Sequence, residues 1–313
     1  MLFGFSLPAV MQGFTHAPET LIQGIYAKHG GLSLEMLAGA ILFTRLFDVF
    51  TYPLLGYLSD RTYRRTNTRK PWILLGTVIT VLGLWNLYRP PNAQPTPLWF
   101  GAWTLVTYVG WKVTEISHGA WSFELSGDYI QRARIQLWRG MASLVGGLIF
   151  YLVPYGTMAL GLSDTTELNF QSLGFAAVLI LVFVPVMNVW TVMTVPNGAA
   201  ASSPEASRPR ESLASIVNSI VRNGPLLRLL ATFIPITVLT GMSGSVTYMF
   251  LDTYLGLSAQ LSMLMLVGIP FSLLGLPFWG WVCLKYERHR IWAISLLMCA
   301  AAYAGQSFVP PGP

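Results

Sequence analysis

Thr44-Arg45-Leu46-Phe47-Asp48 leads into Tyr52-Pro53-Leu54-Leu55-Gly56-Tyr57-Leu58-Ser59-Asp60-Arg61 and then a basic loop closing on Arg69-Lys70-Pro71-Trp72. This stretch sets an arginine and an aspartate well inside an apolar segment. A charge at that depth costs roughly 2.5 to 3.5 kcal/mol on insertion scales and is kept chiefly along ion or substrate pathways. The rest of the chain agrees. Of 313 residues, 53% are hydrophobic and 10% charged, against roughly 25% charged in soluble domains, so its main solvent is lipid. The formal charge of +6 would suggest nucleic acid in a soluble protein, but a basic excess gathered on one side of a bilayer is a topological requirement, and nucleic acid is set aside. Cys283 and Cys299 sit in apolar stretches without metal-ligand spacing and read as small hydrophobes, with no metal site.

Apolar runs of spanning length, roughly 20 residues each, fall near 2-27, 34-58, 71-88, 98-123, 137-160, 172-195, 225-252, 259-284 and 290-309. They predict an all-α polytopic membrane protein with about nine transmembrane helices. No basic region precedes the first run, which reads as a retained helix. Arg61, Arg64, Arg65, Arg69 and Lys70, then Arg132, Arg134 and Arg139, then Arg208, Arg210 and Arg222, then Lys285, Arg288 and Arg290 fall in alternate loops. The opposite loops hold only Lys28 and Arg89. The basic loops are therefore expected in the cytoplasm, with the N-terminus.

Residues 196-224 form a long polar linker and divide the chain into an N-terminal six-helix bundle over 1-195 and a partial, three-helix bundle over 225-313. A weak repeat supports the division. Gly31-Leu32-Ser33 returns as Gly256-Leu257-Ser258, and Pro53-Leu54-Leu55-Gly56-Tyr57 as Pro277-Phe278-Trp279-Gly280-Trp281. Parallel repeats of this kind place a site between two bundles at mid-membrane. By this count three further helices are expected beyond Pro310-Pro311-Gly312-Pro313.

Arg45 and Asp48 are three apart and share one helix face, about 16 to 21 Å along the second span. Lys112 and Glu115 repeat the spacing in the fourth span, with His118 three residues on. The plain alternative is that each pair is a self-neutralising bridge that only joins helices. The second copy argues against it, with Ile269 in place of Arg45 and Ser272 in place of Asp48. Asp60 at a helix C-terminus is unfavourable, so it is expected to pair with a basic residue. Gly56, Asp60 and Arg61 are candidate gate residues, and Arg64 and Arg65 read as lipid-facing anchors. Trp111, among the charges of the fourth span, has a flat indole able to stack on a sugar ring. His16 is a minor candidate for a proton role, and Asp252 is expected to contact water.

The strings Arg45-Leu46-Phe47-Asp48 through Pro71-Trp72-Ile73-Leu74-Leu75-Gly76, and Ser117-His118-Gly119-Ala120-Trp121 through Asp128-Tyr129 with Arg132, Arg134, Trp138 and Arg139, resemble the glycoside-pentoside-hexuronide:cation symporters. These form the melibiose-permease branch of the major facilitator superfamily. The resemblance implies a 6+6 helix fold in the plasma (inner) membrane and alternating access. It also implies uptake of a sugar or glycoside coupled to H+ or Na+, with no organic cofactor. Carried over by position, Asp48 is the first cation-coordinating carboxylate, Glu115 an acid near the sugar, and Arg139 the basic residue opening the fifth span. Tyr52 stands where a second carboxylate belongs, and Gln12 at the sugar-binding acid of the first span. One carboxylate fewer weakens a cage of hard oxygens for Na+, which favours the proton. The reading thus assigns Asp48 and Tyr52 to coupling, Arg45 to charge balance, and Gln12, Glu115, Lys112, His118, Arg139 and Trp111 to substrate. Lysolipid transport on the same scaffold is an alternative. A membrane-embedded glycosyl-transfer enzyme ranks lower, since no nucleophile turn or phosphate-cradling glycine loop appears.

Overall fold

A computed structural model describes residues 2–91, 95–198, 218–219, 221–306 and 308–310, and all regular structure among them is helical. Most of the predicted 196-224 linker, including Arg208 and Arg210, lies outside the described residues, as does Pro311-Gly312-Pro313. The first predicted span is two helices, α1 (Leu2–His16) and α2 (Ile22–Gly30). Pro18 explains the break: it has no N–H for a helical bond and its ring crowds the preceding turn. Residues 17–21 turn instead through bonds from Glu19 N to His16 O (3.0 Å) and Leu21 N to Pro18 O (2.9 Å). α2 closes on Gly31, whose φ of 69° is the left-handed geometry that glycine adopts without a Cβ clash.

The second span is longer than the hydropathy showed. α3 runs Leu34–Thr66, from an N-cap in which Ser33 accepts from Met36 N to a left-handed cap at Asn67 with φ 54°. Pro53 lies inside it, leaving the carbonyl one turn earlier without its usual donor. Asp60, Arg61, Arg64 and Arg65 thus sit on its last two turns rather than in a loop. α4 (Lys70–Tyr88) follows, then α5 (Pro97–Glu124), capped by Thr96. α6 (Tyr129–Ala159) begins two turns before the predicted boundary because Asp128 accepts from Ile130 N and Gln131 N, so Arg132 and Arg134 are helical as well. α7 (Phe170–Thr194) starts in an Asn169/Ser172 capping box. α8 (Gly224–Met249) passes into a π-helical turn over Phe250–Tyr254, and α9 (Leu261–Lys285) and α10 (Arg288–Gln306) complete the described helices.

Among the described residues, four helical segments are long and apolar enough by composition to cross a bilayer: Lys70–Tyr88, Ile130–Ala159, Phe170–Thr194 and Leu261–Cys283. α3 and α5 fall outside that set, and they carry Arg45, Asp48, Lys112 and Glu115. α1 packs on α6 and α7, α4 on α5 and α7, and α3 on α5, while α9 lies along α6. Small residues set the closest crossings, as expected where lipid leaves no hydrophobic drive between helices. Gly13 lies against the Ser143 carbonyl and Gly146 against that of Val10, on facing surfaces of α1 and α6. Buried hydrogen bonds add specificity: Asn188 Nδ2 donates to Thr77 Oγ1 (2.7 Å), Thr191 Oγ1 to Gly4 O (2.8 Å) and Tyr26 OH to Leu87 O (2.5 Å).

At the α2 end of the bundle, Lys28 bridges two carboxylates, Glu167 before α7 and Asp252 in the π turn, each at 2.8 Å. Asp252, expected to face water, is half of this clasp. Burial lowers the Lys28 pKa, but Asp252 and Glu167 outweigh that and hold it above its ordinary value. A raised cation pKa contributes stability that is complete below the unfolded value and is lost only as pH climbs through the folded one. The clasp is therefore indifferent to pH near neutrality. Lys28→Gln is expected to speed maleimide labelling of a Thr166→Cys reporter severalfold at neutral pH, in a background with Cys283 and Cys299 replaced by serine. An unchanged rate would mean the clasp closes nothing.

Candidate functional site

Sequence spacing pairs the charges of α3 and α5 along their own helices, whereas the folded chain pairs them across helices. Lys112 of α5 forms its ion pair with Asp48 of α3. Both residues are buried, 5% and 7% exposed, so neither charge has bulk water as a substitute partner. Arg45 Nη1 is 3.8 Å from Asp48 Oδ2, and its shorter contact, 2.7 Å through Nη2, is to Glu19 Oε1 at the α1–α2 break. His16 Nδ1 lies 3.5 Å from the other Glu19 oxygen. The result is a ladder, Glu19–Arg45–Asp48–Lys112, in which two acids and two bases alternate. Tyr108 lies beneath Arg45 at 4.8 Å, and the Lys112 ammonium stands 4.9 Å from the Tyr52 ring centre. Tyr52 thus meets the ladder as an aromatic face over a cation.

The α-helical period accounts for this pairing. Asp48 is buried on the face of α3 that packs on α5, while Arg45, one turn earlier and exposed, has the reach to meet the broken first span. Among the described residues no ion pair within 4.0 Å joins Lys112 to Glu115. Glu115 is exposed and acts on Arg139 of α6 through space, and Arg139 Nη1 donates to Gln136 Oε1 at 3.0 Å. His118 is fully buried, with Nε2 2.9 Å from the Phe5 carbonyl and its ring 4.4 Å from that of Phe5. It ties α5 to α1 and is not brought to the ladder.

Gln12 and Trp111 line a small cavity of about 20 Å³ between α1, α4, α5 and α7, whose largely apolar wall includes Pro8, Met11 and Val184 beside Thr15, Thr77, Thr80, Thr114 and Asn188. Gln12 Nε2, Trp111 Nε1 and Asn188 Oδ1 have no protein partner there. The space and its donors and acceptors suit one water molecule. The outer face of Trp111 stacks on His16 at 3.9 Å, so this indole joins the cavity to the ladder.

The C-terminal end of α3 forms a second charged group. Arg69, before α4, holds Asp60 at 2.8 Å, Glu124 of α5 at 2.7 Å and Ser59 Oγ at 3.0 Å, with Tyr63 4.7 Å beneath it. Burial lowers the Arg69 pKa, but Glu124 and Asp60 outweigh that and raise it above its ordinary value. The basic partner of Asp60 is thus Arg69, not the adjacent Arg61, which is exposed. A Cβ at Gly56 would meet nothing within 4 Å, so no close approach explains that glycine. Sequence reasoning missed Glu19, Tyr108, Arg69 and Glu124 as site residues. The available signal for Glu19 was an acid directly after a proline in an apolar run.

Charges paired between the helices of a membrane bundle, with Asp48 and Lys112 buried, are the kind kept along ion or substrate pathways. The chain belongs to the MFS/sugar transport protein family, whose profile matches residues 3–313. An uncharacterized symporter of Synechocystis sp., sll1374, is 30% identical over 147 residues, which cover 44% of this chain and 27% of that protein. The inner membrane symporter YicJ of Escherichia coli is 26% identical over 161 residues, 50% of this chain and 35% of its own. A symporter of Bacillus subtilis, YjmB, is 23% identical over 280 residues, covering 87% of this chain and 59% of its own. The chain spans less than two thirds of the curated relatives it matches. Membership makes it a multi-pass membrane protein of a transport family and sets the glycosyl-transfer alternative aside.

Proposed function

We propose that this chain forms part of a secondary transporter that moves a sugar or glycoside together with a cation by alternating access. The observation that carries the reading is the buried Asp48–Lys112 pair at mid-membrane, between α3 and α5. A carboxylate held only by internal cations is neutralised there, so a bound ion or proton competes with Lys112 for it and changes how the two helices are tied. The nearest charges to Asp48 are the cations Lys112 and Arg45. They repel Na+ but are released by a proton, which makes H+ the favoured coupling ion.

In this reading residues 1-195 are one bundle, 196-224 the linker and 225-313 part of the second bundle, with the N-terminus in the cytoplasm and the protein in the plasma membrane. Glu115 of α5 and Arg139 of α6, whose charges interact, contact substrate. Gln12 and Trp111 support the substrate face through their shared cavity, and Asp60 belongs to an inner latch on Arg69. The test is glycoside uptake in vesicles driven by a proton gradient. Asp48→Asn is expected to abolish accumulation against a gradient, and Glu115→Gln to weaken apparent affinity about tenfold, the size of one lost charged hydrogen bond. Accumulation that survives in Asp48→Asn removes Asp48 from coupling, and an unaltered affinity in Glu115→Gln removes the contact.

A further inference from the structure

Gln12 of α1, Trp111 of α5 and Asn188 of α7 line one cavity, and bonds made elsewhere fix how the last two are turned. Thr77 Oγ1 gives its single proton to the Ile73 carbonyl at 2.7 Å, so towards Asn188 it can only accept. Asn188 therefore turns Nδ2 to Thr77, at 2.7 Å, and its Oδ1 is left as an acceptor without a protein partner. Trp111 stacks with His16 at 3.9 Å and with Tyr108 at 5.3 Å, which holds the plane of the indole, and its Nε1 can only donate. Asn188 and Trp111 are 2% and 7% exposed, so neither polar atom has bulk water to turn to. A buried donor or acceptor left unpaired costs more than a typical hydrogen bond contributes, and each one calls for a partner.

We propose that this cavity is the binding site of one resident water, through which Asn188 positions Gln12 at the substrate face. The water accepts from Trp111 Nε1 and Gln12 Nε2 and donates to Asn188 Oδ1. Thr114, whose own proton goes to the Gly110 carbonyl at 3.2 Å, offers an acceptor for the remaining O–H. Two donors and two acceptors match the four bonds of a water, and a volume of about 20 Å³ holds one water and excludes a sugar. Pro8, Met11 and Val184 supply apolar wall and no competing partner. Gln12 is half-buried, and its side chain on its own has many rotamers. Tied through Nε2 it keeps one, so the ordering is done before substrate arrives. Asn188 thus acts on α1 without touching it. The water site stands on the cavity and its unpartnered atoms, while the positioning of Gln12 for substrate rests on the symport reading above.

The test uses the protein as the cell makes it, in proteoliposomes, with Asn188→Leu and Val184→Ile beside the wild type. Asn188→Leu removes the acceptor. Val184→Ile adds a methyl group to the wall, which takes the place of the water and leaves every polar group of the site intact. Synchrotron radiolysis reads the water directly, because a bound water yields hydroxyl radical beside the side chains it touches. Met11, 7% exposed on the cavity wall, is expected to be oxidised in the wild type well above Phe150, 0% exposed in the apolar core, once intrinsic reactivities are divided out. Both variants should lower Met11 oxidation about threefold or more. In uptake of a panel of p-nitrophenyl glycosides, both should raise the apparent KM about fivefold, equivalent to about 1 kcal/mol, with kcat close to wild type. Met11 no more oxidised than Phe150 in the wild type would overturn the water site. Oxidation that falls in both variants while KM stays unchanged would overturn the positioning of Gln12. Oxidation and KM both at wild-type levels in Asn188→Leu would remove Asn188 from the site. A wild type that transports none of the panel, with oxidation behaving as expected, overturns the symport reading alone.

Discussion

Asp48→Leu is expected to destabilise the bundle by about 3–5 kcal/mol, the usual result of leaving one partner of a buried ion pair behind, and Lys112→Met by clearly less. The asymmetry follows from what remains. Without Asp48, the Lys112 ammonium keeps only the faces of Tyr52 and Tyr108, 4.9 and 5.8 Å away. Without Lys112, Asp48 still has Arg45 at 3.8 Å, able to close on it. The double variant Asp48→Leu/Lys112→Met replaces the pair with apolar groups of similar size and should recover most of the loss, because no uncompensated charge is left. Unfolding midpoints in a denaturant series, treated as a double-mutant cycle, give the coupling directly. Additive losses in the double variant would mean that Asp48 and Lys112 are not paired, and equal losses in the two single variants would mean that Arg45 does not close on Asp48. The double variant also separates stability from function, since a stable protein without Asp48 should still fail to accumulate substrate.

Gly13→Val and Gly146→Val are each expected to prevent assembly of α1 with α6, and their effect should exceed that of any single polar change at the ladder. A Cβ at Gly13 falls inside the contact distance of the Ser143 carbonyl, and one at Gly146 inside that of Val10. Both obstacles are backbone, so no side-chain rotation relieves them and the helices must separate. Overpacking of this type costs about 1–3 kcal/mol where the surroundings yield and more where they do not. Gly268→Val is the control, since a Cβ there meets nothing within 4 Å. Monodisperse yield in detergent and the apparent melting temperature should fall sharply for the first two and stay close to wild type for the third. Comparable behaviour of all three would contradict the close α1–α6 crossing.

Helical class and the positions of the spans were legible because each rests on local chemistry: long apolar runs, basic residues gathered in alternate loops and capping residues such as Ser33, Thr96 and Asn169. Boundaries were less so. Hydropathy stops at Leu58, but the helical bonds of α3 continue through charged residues to Asn67, because a helix end is set by caps rather than by polarity. Site residues with their own signal, Asp48, Lys112 and Asp60, stood out as charges in unusual places. Their partners did not. Whether Arg45 turns to Asp48 on its own helix or to Glu19 on another depends on which faces meet after folding, and spacing three apart fits either outcome. Pro18 was visible, yet the apolar residues on both sides read as one span. The same limit applied to Arg69, which looked like part of a solvated basic loop until Glu124 of a third helix arrived beside it.

α3 carries the ladder at Asp48 and the inner latch at Asp60 on one continuous helix, about 18 Å apart at 1.5 Å per residue. Pro53 sits between them, at the only point of that rod where an imino acid interrupts the backbone bonding. The two charged groups therefore behave as the arms of one lever with a soft joint near its middle. A rearrangement at either group is therefore shared between bending at Pro53 and displacement of the other group along the same helix.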